Sequence, residues 1–132
     1  MNTQGEKHPL ILLYGETDGL IKILKEIFTV EGYNVFMTTE RETLLELLDT
    51  KNPDVVVLDV VVYSNNILQT IELIRNESDV PVIILSGQSD LLASRELLSR
   101  DANGYITKPF RMRELLARIQ AKLKQRQTNC IQ

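Results

Sequence analysis

Thiol and imidazole groups are almost missing from this chain. Cys130 is the only cysteine and His8 the only histidine. One cysteine excludes an intrachain disulfide and fits a reducing cytoplasm. One histidine without a cysteine pair argues against a zinc site. Excess positive charge is missing too. The net charge of −3 leaves no basic footprint for direct nucleic-acid binding. No apolar run approaches the ~20 residues of a membrane span, so no membrane partner is expected. Met1–Lys7 is polar and lacks the apolar stretch of a signal peptide.

What is present is an ordinary globular composition. The 132 residues are 43% apolar and 25% charged, enough for one domain with a real core. Short apolar runs alternate with amphipathic ones. Leu10–Tyr14, Val35–Met37, Asp54–Leu58, Val80–Leu85 and Gly104–Thr107 read as strands. Three of them are almost wholly apolar, as strands covered on both faces are. Between them, Leu20, Ile23, Leu24, Ile27 and Phe28 repeat at helical spacing, with Gly32 as a stop. Thr39-Glu40-Arg41-Glu42 reads as a capping box before Leu44, Leu45, Leu47 and Leu48. Ile67, Leu68, Ile71 and Ile74 mark a third helix. Leu91, Leu92, Leu97 and Leu98 mark a fourth, and Leu115, Leu116, Ile119 and Leu123 a fifth. The order is (βα)5, which makes a mostly parallel sheet with helices on both faces. Residues 1–8 read as a tail, 9–124 as the domain and 125–132 as a tail or the start of a linker, with Lys124–Gln132 expected to fray or lead onward.

In such sheets, sites form beyond the carboxyl ends of the strands. Gly15-Glu16, Asp59, Ser86-Gly87 and Lys108-Pro109 fall at that edge. An ionised Asp59 after an apolar strand needs metal, hydrogen bonds or a cation beside it. A carboxylate can attack phosphorus to give an acyl phosphate, with a divalent cation offsetting the phosphoryl charge. Glu16 and Asp59 supply two oxygen ligands for Mg²⁺, and the backbone carbonyl of Val61 a third. Lys108 offers a positive charge and Ser86 a hydroxyl for phosphoryl oxygens. Blander roles compete: a helix cap or loop acid for Asp59 and Glu16, a turn residue for Ser86, a solvated lysine for Lys108, a half-buried strand aromatic for Tyr105.

Four segments in this order and spacing resemble the receiver domain of two-component response regulators over about residues 9–124. They are Ile11-Leu12-Leu13-Tyr14-Gly15-Glu16, Pro53-Asp54-Val55-Val56-Val57-Leu58-Asp59, Pro81-Val82-Ile83-Ile84-Leu85-Ser86-Gly87 and Tyr105-Ile106-Thr107-Lys108-Pro109-Phe110. The resemblance implies a doubly wound, five-stranded, flavodoxin-like fold, and a regulatory domain rather than an enzyme. It matches Asp59 to the phosphoacceptor, Ser86 to the switch hydroxyl, Tyr105 to the switch aromatic and Lys108 to the phosphate-sensing lysine. It implies a cis Lys108–Pro109 bond and a histidine kinase or phosphotransfer protein as donor. It further implies a signalling face made by the fourth helix, fifth strand and fifth helix, near Glu96, Arg100, Asp101, Arg113, Glu114 and Arg118. That face would serve homodimerisation or an output domain beyond Gln132, as in the transcription-factor class. A solvated surface explains those charges equally well.

The sequence also departs from the family pattern. Gly15 stands where the first of two acidic residues is usual, and Glu16 is one methylene longer than the usual aspartate. Asp18 reads as the N-cap of the first helix. Tyr63 and Ile67 replace a usual proline and glycine, and Asp101 a usual glycine before Ala102. Fewer carboxylates mean weaker Mg²⁺ binding. Two readings therefore stand: a phosphorylated receiver, or a pseudo-receiver acting as a phosphorylation-independent interaction module. A flavodoxin-like ligand binder would want a phosphate-cradling loop where Gly15-Glu16-Thr17-Asp18-Gly19 carries acids. A haloacid-type hydrolase would want an aspartate at Val61.

Overall fold

Residues alternate between two cores along every central strand, which is why unbroken apolar runs were needed. The computed structural model describes residues 8–15, 18–60, 65–86 and 104–131. The elements are β1 (Leu10–Gly15), α1 (Asp18–Val30), β2 (Asn34–Thr38), α2 (Arg41–Lys51), β3 (Val55–Val60), α3 (Asn65–Glu77), β4 (Val82–Ser86), β5 (Gly104–Thr107) and α4 (Met112–Ile131). The fourth helical pattern, Leu91 to Leu98, lies outside the described residues, so α4 is the fifth pattern of the sequence. The strands form one parallel sheet in the order β2-β1-β3-β4-β5.

Leu12, Val56, Leu58, Val82 and Ile84 join Leu44 and Leu48 of α2 and Ile67, Ile71 and Ile74 of α3 in one core. Ile11, Leu13, Val55, Val57, Ile83 and Leu85 join Ile21, Leu24 and Phe28 of α1 and Leu115 and Ile119 of α4 in the other. This is the doubly wound, flavodoxin-like arrangement that the resemblance implied. The winding direction reverses between β1 and β3, and ligand sites form in the crevice at such a reversal.

Several local expectations change. The buried stripe of α1 is Ile21, Leu24 and Phe28, while Ile23 is exposed. Two apolar stripes overlap in this segment, and Ile23 points about 200° away from Ile21 at the helical step. The capping box at Thr39 does not form. Glu40 is the N-cap of α2 without a side-chain cap bond, and Thr38 Oγ1 accepts the Glu40 N–H at 3.0 Å. A threonine two residues earlier thus competes for the backbone that a Thr39 cap would have ordered. Asp18 is the first helical residue of α1 rather than its N-cap. Helix α4 continues to Ile131, through the stretch expected to fray, because Lys124-Gln125-Arg126-Gln127 are straight-chain helix formers.

The Gly32 stop is present. Its φ of 100° lets the Gly32 N–H reach Thr29 O and the Tyr33 N–H reach Phe28 O. The rings of Phe28 and Tyr33 then meet edge to face, 6.4 Å apart. Burial pushes the Tyr33 phenol above its ordinary value of 10.0, against a lowering hydrogen bond from Gln120.

Candidate functional site

Asp59 belongs to β3 itself, one residue before its end, so the backbone fixes its position. Its neighbours in register are Gly15 on β1 and Leu85 on β4. It is therefore at the β1/β3 reversal, at the carboxyl end of the sheet. Only 6% of the residue is exposed. A charge this buried needs a partner, and Lys108 Nζ donates to its Oδ1 as an ion pair. Lys108 keeps 30% of its side chain exposed, so the pair is dry at the carboxylate and wet at the ammonium.

Lys108 is anchored to β4 through its backbone. Its backbone N–H donates to the Ser86 carbonyl at 2.6 Å, extending the β4–β5 ladder by one bond. The Lys108–Pro109 peptide is cis, as the resemblance implied. The anchoring of Lys108 on Ser86 O was not visible in the sequence, because it depends on the β4–β5 register.

Ser86 is fully buried and follows Ile84 on the same strand face. Tyr105 pairs in register with Ile84 and packs, half-buried, against the α2–α3 core. The switch hydroxyl and switch aromatic of the sequence reading are thus diagonal neighbours on adjacent strands. Glu16 and Val61, the other two expected metal ligands, lie outside the described residues, as do Tyr63, Glu96, Arg100 and Asp101. Gly15 is buried level with Asp59 and brings no side-chain oxygen. Among the described residues no three of His, Cys, Asp and Glu cluster as a metal site. The donor described there is the Asp59 carboxylate, whose Oδ1 faces Lys108. A hard oxygen donor of this kind fits Mg²⁺ in chemistry. Arg113, Glu114 and Arg118 are exposed on α4, with Arg118 and Glu114 paired at 3.6 Å. No helix among the described residues is long and apolar enough to cross a membrane.

Known proteins resemble the chain in sequence and in fold. Over 114 residues the chain is 37% identical to the transcriptional regulatory protein CpxR of Escherichia coli, covering 86% of this chain and 49% of that protein. Over 127 residues it is 34% identical to the probable transcriptional regulator ycf27 of Cyanidium caldarium, covering 96% and 51%. The chain thus spans about half the length of the curated relatives it matches. A CheY-like receiver domain from Methanospirillum hungatei superposes with a TM-score of 0.82 at 21% identity, over 93% of this chain and 99% of that one. A response regulator from Thermotoga maritima does so with a TM-score of 0.80 at 25% identity, over 89% and 99%. The family model for the response regulator receiver domain matches residues 11–120, and the chain belongs to that family.

Proposed function

We propose that Asp59 accepts a phosphoryl group from a histidine kinase or phosphotransfer protein and that the domain passes the change to a partner. The observation that carries this is the buried Asp59 at the β1/β3 reversal, held by Lys108. In the transfer, a carboxylate oxygen of Asp59 attacks phosphorus. The phosphorus–nitrogen bond of a phosphohistidine breaks, and the imidazole keeps the electron pair and takes a proton. Mg²⁺ would be held by Asp59 with Glu16 and the carbonyl of Val61, and it supplies positive charge against the phosphoryl oxygens. Lys108 already reaches the Asp59 carboxylate and can pass its hydrogen bond to a phosphoryl oxygen. Ser86 turns its hydroxyl to another, and Tyr105 moves into the space released beside Ile84. The added charge of about −1.5 to −2 biases two conformations of the face carrying β5 and α4.

Because both curated relatives are transcriptional regulators about twice this length, the output we propose is a DNA-binding segment following the domain. Dimerisation through charges such as Arg113 and Arg118 belongs to the same proposal. Incubation with Mg²⁺ and a small phosphodonor, read by intact mass, tests the acceptor. A phosphate-sized gain lost in Asp59→Asn is expected. No gain, or an undiminished gain in Asp59→Asn, refutes it.

Gly15 favours a second reading. Its position level with Asp59 leaves the acidic pocket one carboxylate short of the family pattern. A pseudo-receiver would then signal through its surfaces, unphosphorylated. Partner binding unchanged between the wild type and Asp59→Asn, with no mass gain, is its signature.

A further inference from the structure

The sheet has an open edge at β2, remote from Asp59. Asn34 N–H donates to Pro9 O at 3.0 Å, which fixes the phase of the β1–β2 ladder. In a parallel ladder alternate residues turn both backbone groups toward the same neighbour. Asn34, Phe36 and Thr38 therefore face β1, and Val35 and Met37 turn their N–H and C=O groups outward. Two donors and two acceptors lie along an edge with no outer strand among the described residues.

The side chains around that edge share one character. On one face a groove of about 620 Å³ runs between α1 and β2, lined by Lys22, Lys25, Glu26, Thr29, Val30 and Met37. Val30, the last residue of α1, is 83% exposed there. On the other face Phe36 is 39% exposed and carries Lys51 Nζ 5.3 Å above its ring. Each face thus combines an exposed apolar side chain with at least one ammonium group, and the groove carries two lysines to one glutamate, Glu26, in a chain whose net charge is −3.

We propose that this edge binds an acidic, extended segment of a partner protein as a sixth strand. Its backbone bonds to Val35 and Met37. Its apolar side chains enter the groove beside Val30 and Met37, and its carboxylates meet Lys25 on one face and Lys51 on the other. Strand addition draws affinity from the backbone and specificity from the flanking side chains. A second copy of this chain is the poorer occupant, since β2 against β2 sets the same lysines against one another. Edge lysines commonly deter self-pairing. Here the same charges select an acidic strand. The proposal does not depend on phosphorylation of Asp59.

The test uses two blocked hexapeptides, one alternating glutamate with valine and one alternating lysine with valine, titrated into the ¹⁵N-labelled chain. The acidic peptide should saturate shifts at Val35 and Met37 and slow exchange of their two amide protons. The double variant Lys25→Glu/Lys51→Glu, which reverses two exposed charges and removes the Lys51–Phe36 contact, should bind it about ten-fold more weakly. Val35→Pro removes an outward N–H, a change edge strands tolerate, and should abolish binding while the β1 amides stay protected. Equal binding of the basic peptide overturns the proposal, as do unslowed exchange at Val35 and Met37 and shifts centred elsewhere.

Discussion

The Asp59–Lys108 pair should be lopsided in its contribution to stability. The carboxylate side chain is 7% exposed and the ammonium side chain 30%. Lys108→Met removes the only described counter-charge and leaves a buried, ionised carboxylate. Breaking a buried pair in this way costs about 3 kcal/mol. Asp59→Asn does the reverse. The buried charge disappears, the amide oxygen still accepts a hydrogen bond, and Lys108 turns to the water it already touches. That change costs about 1 kcal/mol or less. Urea unfolding followed by circular dichroism, with a chelator present so that no cation replaces the ammonium, measures both. The melting temperature should fall by about 12 °C for Lys108→Met and by about 4 °C or less for Asp59→Asn. The double variant should be more stable than Lys108→Met alone, since removing the stranded charge rescues it. Equal losses in the two single variants refute the reasoning, because they would mean that the carboxylate is as well hydrated as the lysine.

Three further changes test the frame around the site. Asp54 Oδ2 accepts the Leu10 N–H at 2.8 Å, and the Asp54 N–H donates to Leu10 O at 2.8 Å, clasping the start of β1. Asp54→Ala should cost about 2 kcal/mol in urea unfolding and speed amide exchange at Leu10. Gly32 has open space around its absent Cβ but a φ of 100°, so Gly32→Ala should cost about 1–2 kcal/mol through backbone strain alone, read as a lower urea midpoint. Burial raises the Tyr33 phenol above 10.0, so its neutral form is favoured in the folded chain. That contribution is complete below the unfolded value. It is lost as pH rises through the folded one, because the unfolded chain ionises first. As pH rises above about 10 the urea midpoint should therefore fall more steeply in the wild type than in Tyr33→Phe, and parallel curves would contradict this.

The sheet was legible because both its faces are covered. Val55-Val56-Val57-Leu58 admits few arrangements other than a central strand between two helical layers, and the cores divide those residues by parity. The cis Lys108–Pro109 step was legible only through the resemblance. Local choices were harder to read where two signals overlap. Thr38 and Thr39 both offer hydroxyls to the start of α2, and α1 carries two apolar stripes of which the sheet buries one. Leu10 and Asp54 are far apart in sequence, so their clasp and the Ser86–Lys108 bond are tertiary facts with no local signal.

Gly15 decides how the charges at the site balance. It is level with Asp59 on the adjoining strand, one strand spacing of about 4.8 Å away. An acid at that position would share Lys108 with Asp59 and raise the demand for a cation. With glycine there, Lys108 answers Asp59 alone among the described residues. On the reading proposed above, a pocket with fewer negative charges should gain less by binding a cation. Gly15→Asp should reverse this. In chelator the added like charge should lower stability by about 2 kcal/mol. With Mg²⁺ at about ten times its Kd, binding should return about 1.4 kcal/mol, so the variant gains more from the ion than the wild type does at the same concentration. Melting curves with and without Mg²⁺ measure the difference. If Mg²⁺ shifts the wild type and Gly15→Asp equally, the glycine does not limit the metal, and the cause of any weak binding must be sought at Glu16 or Val61.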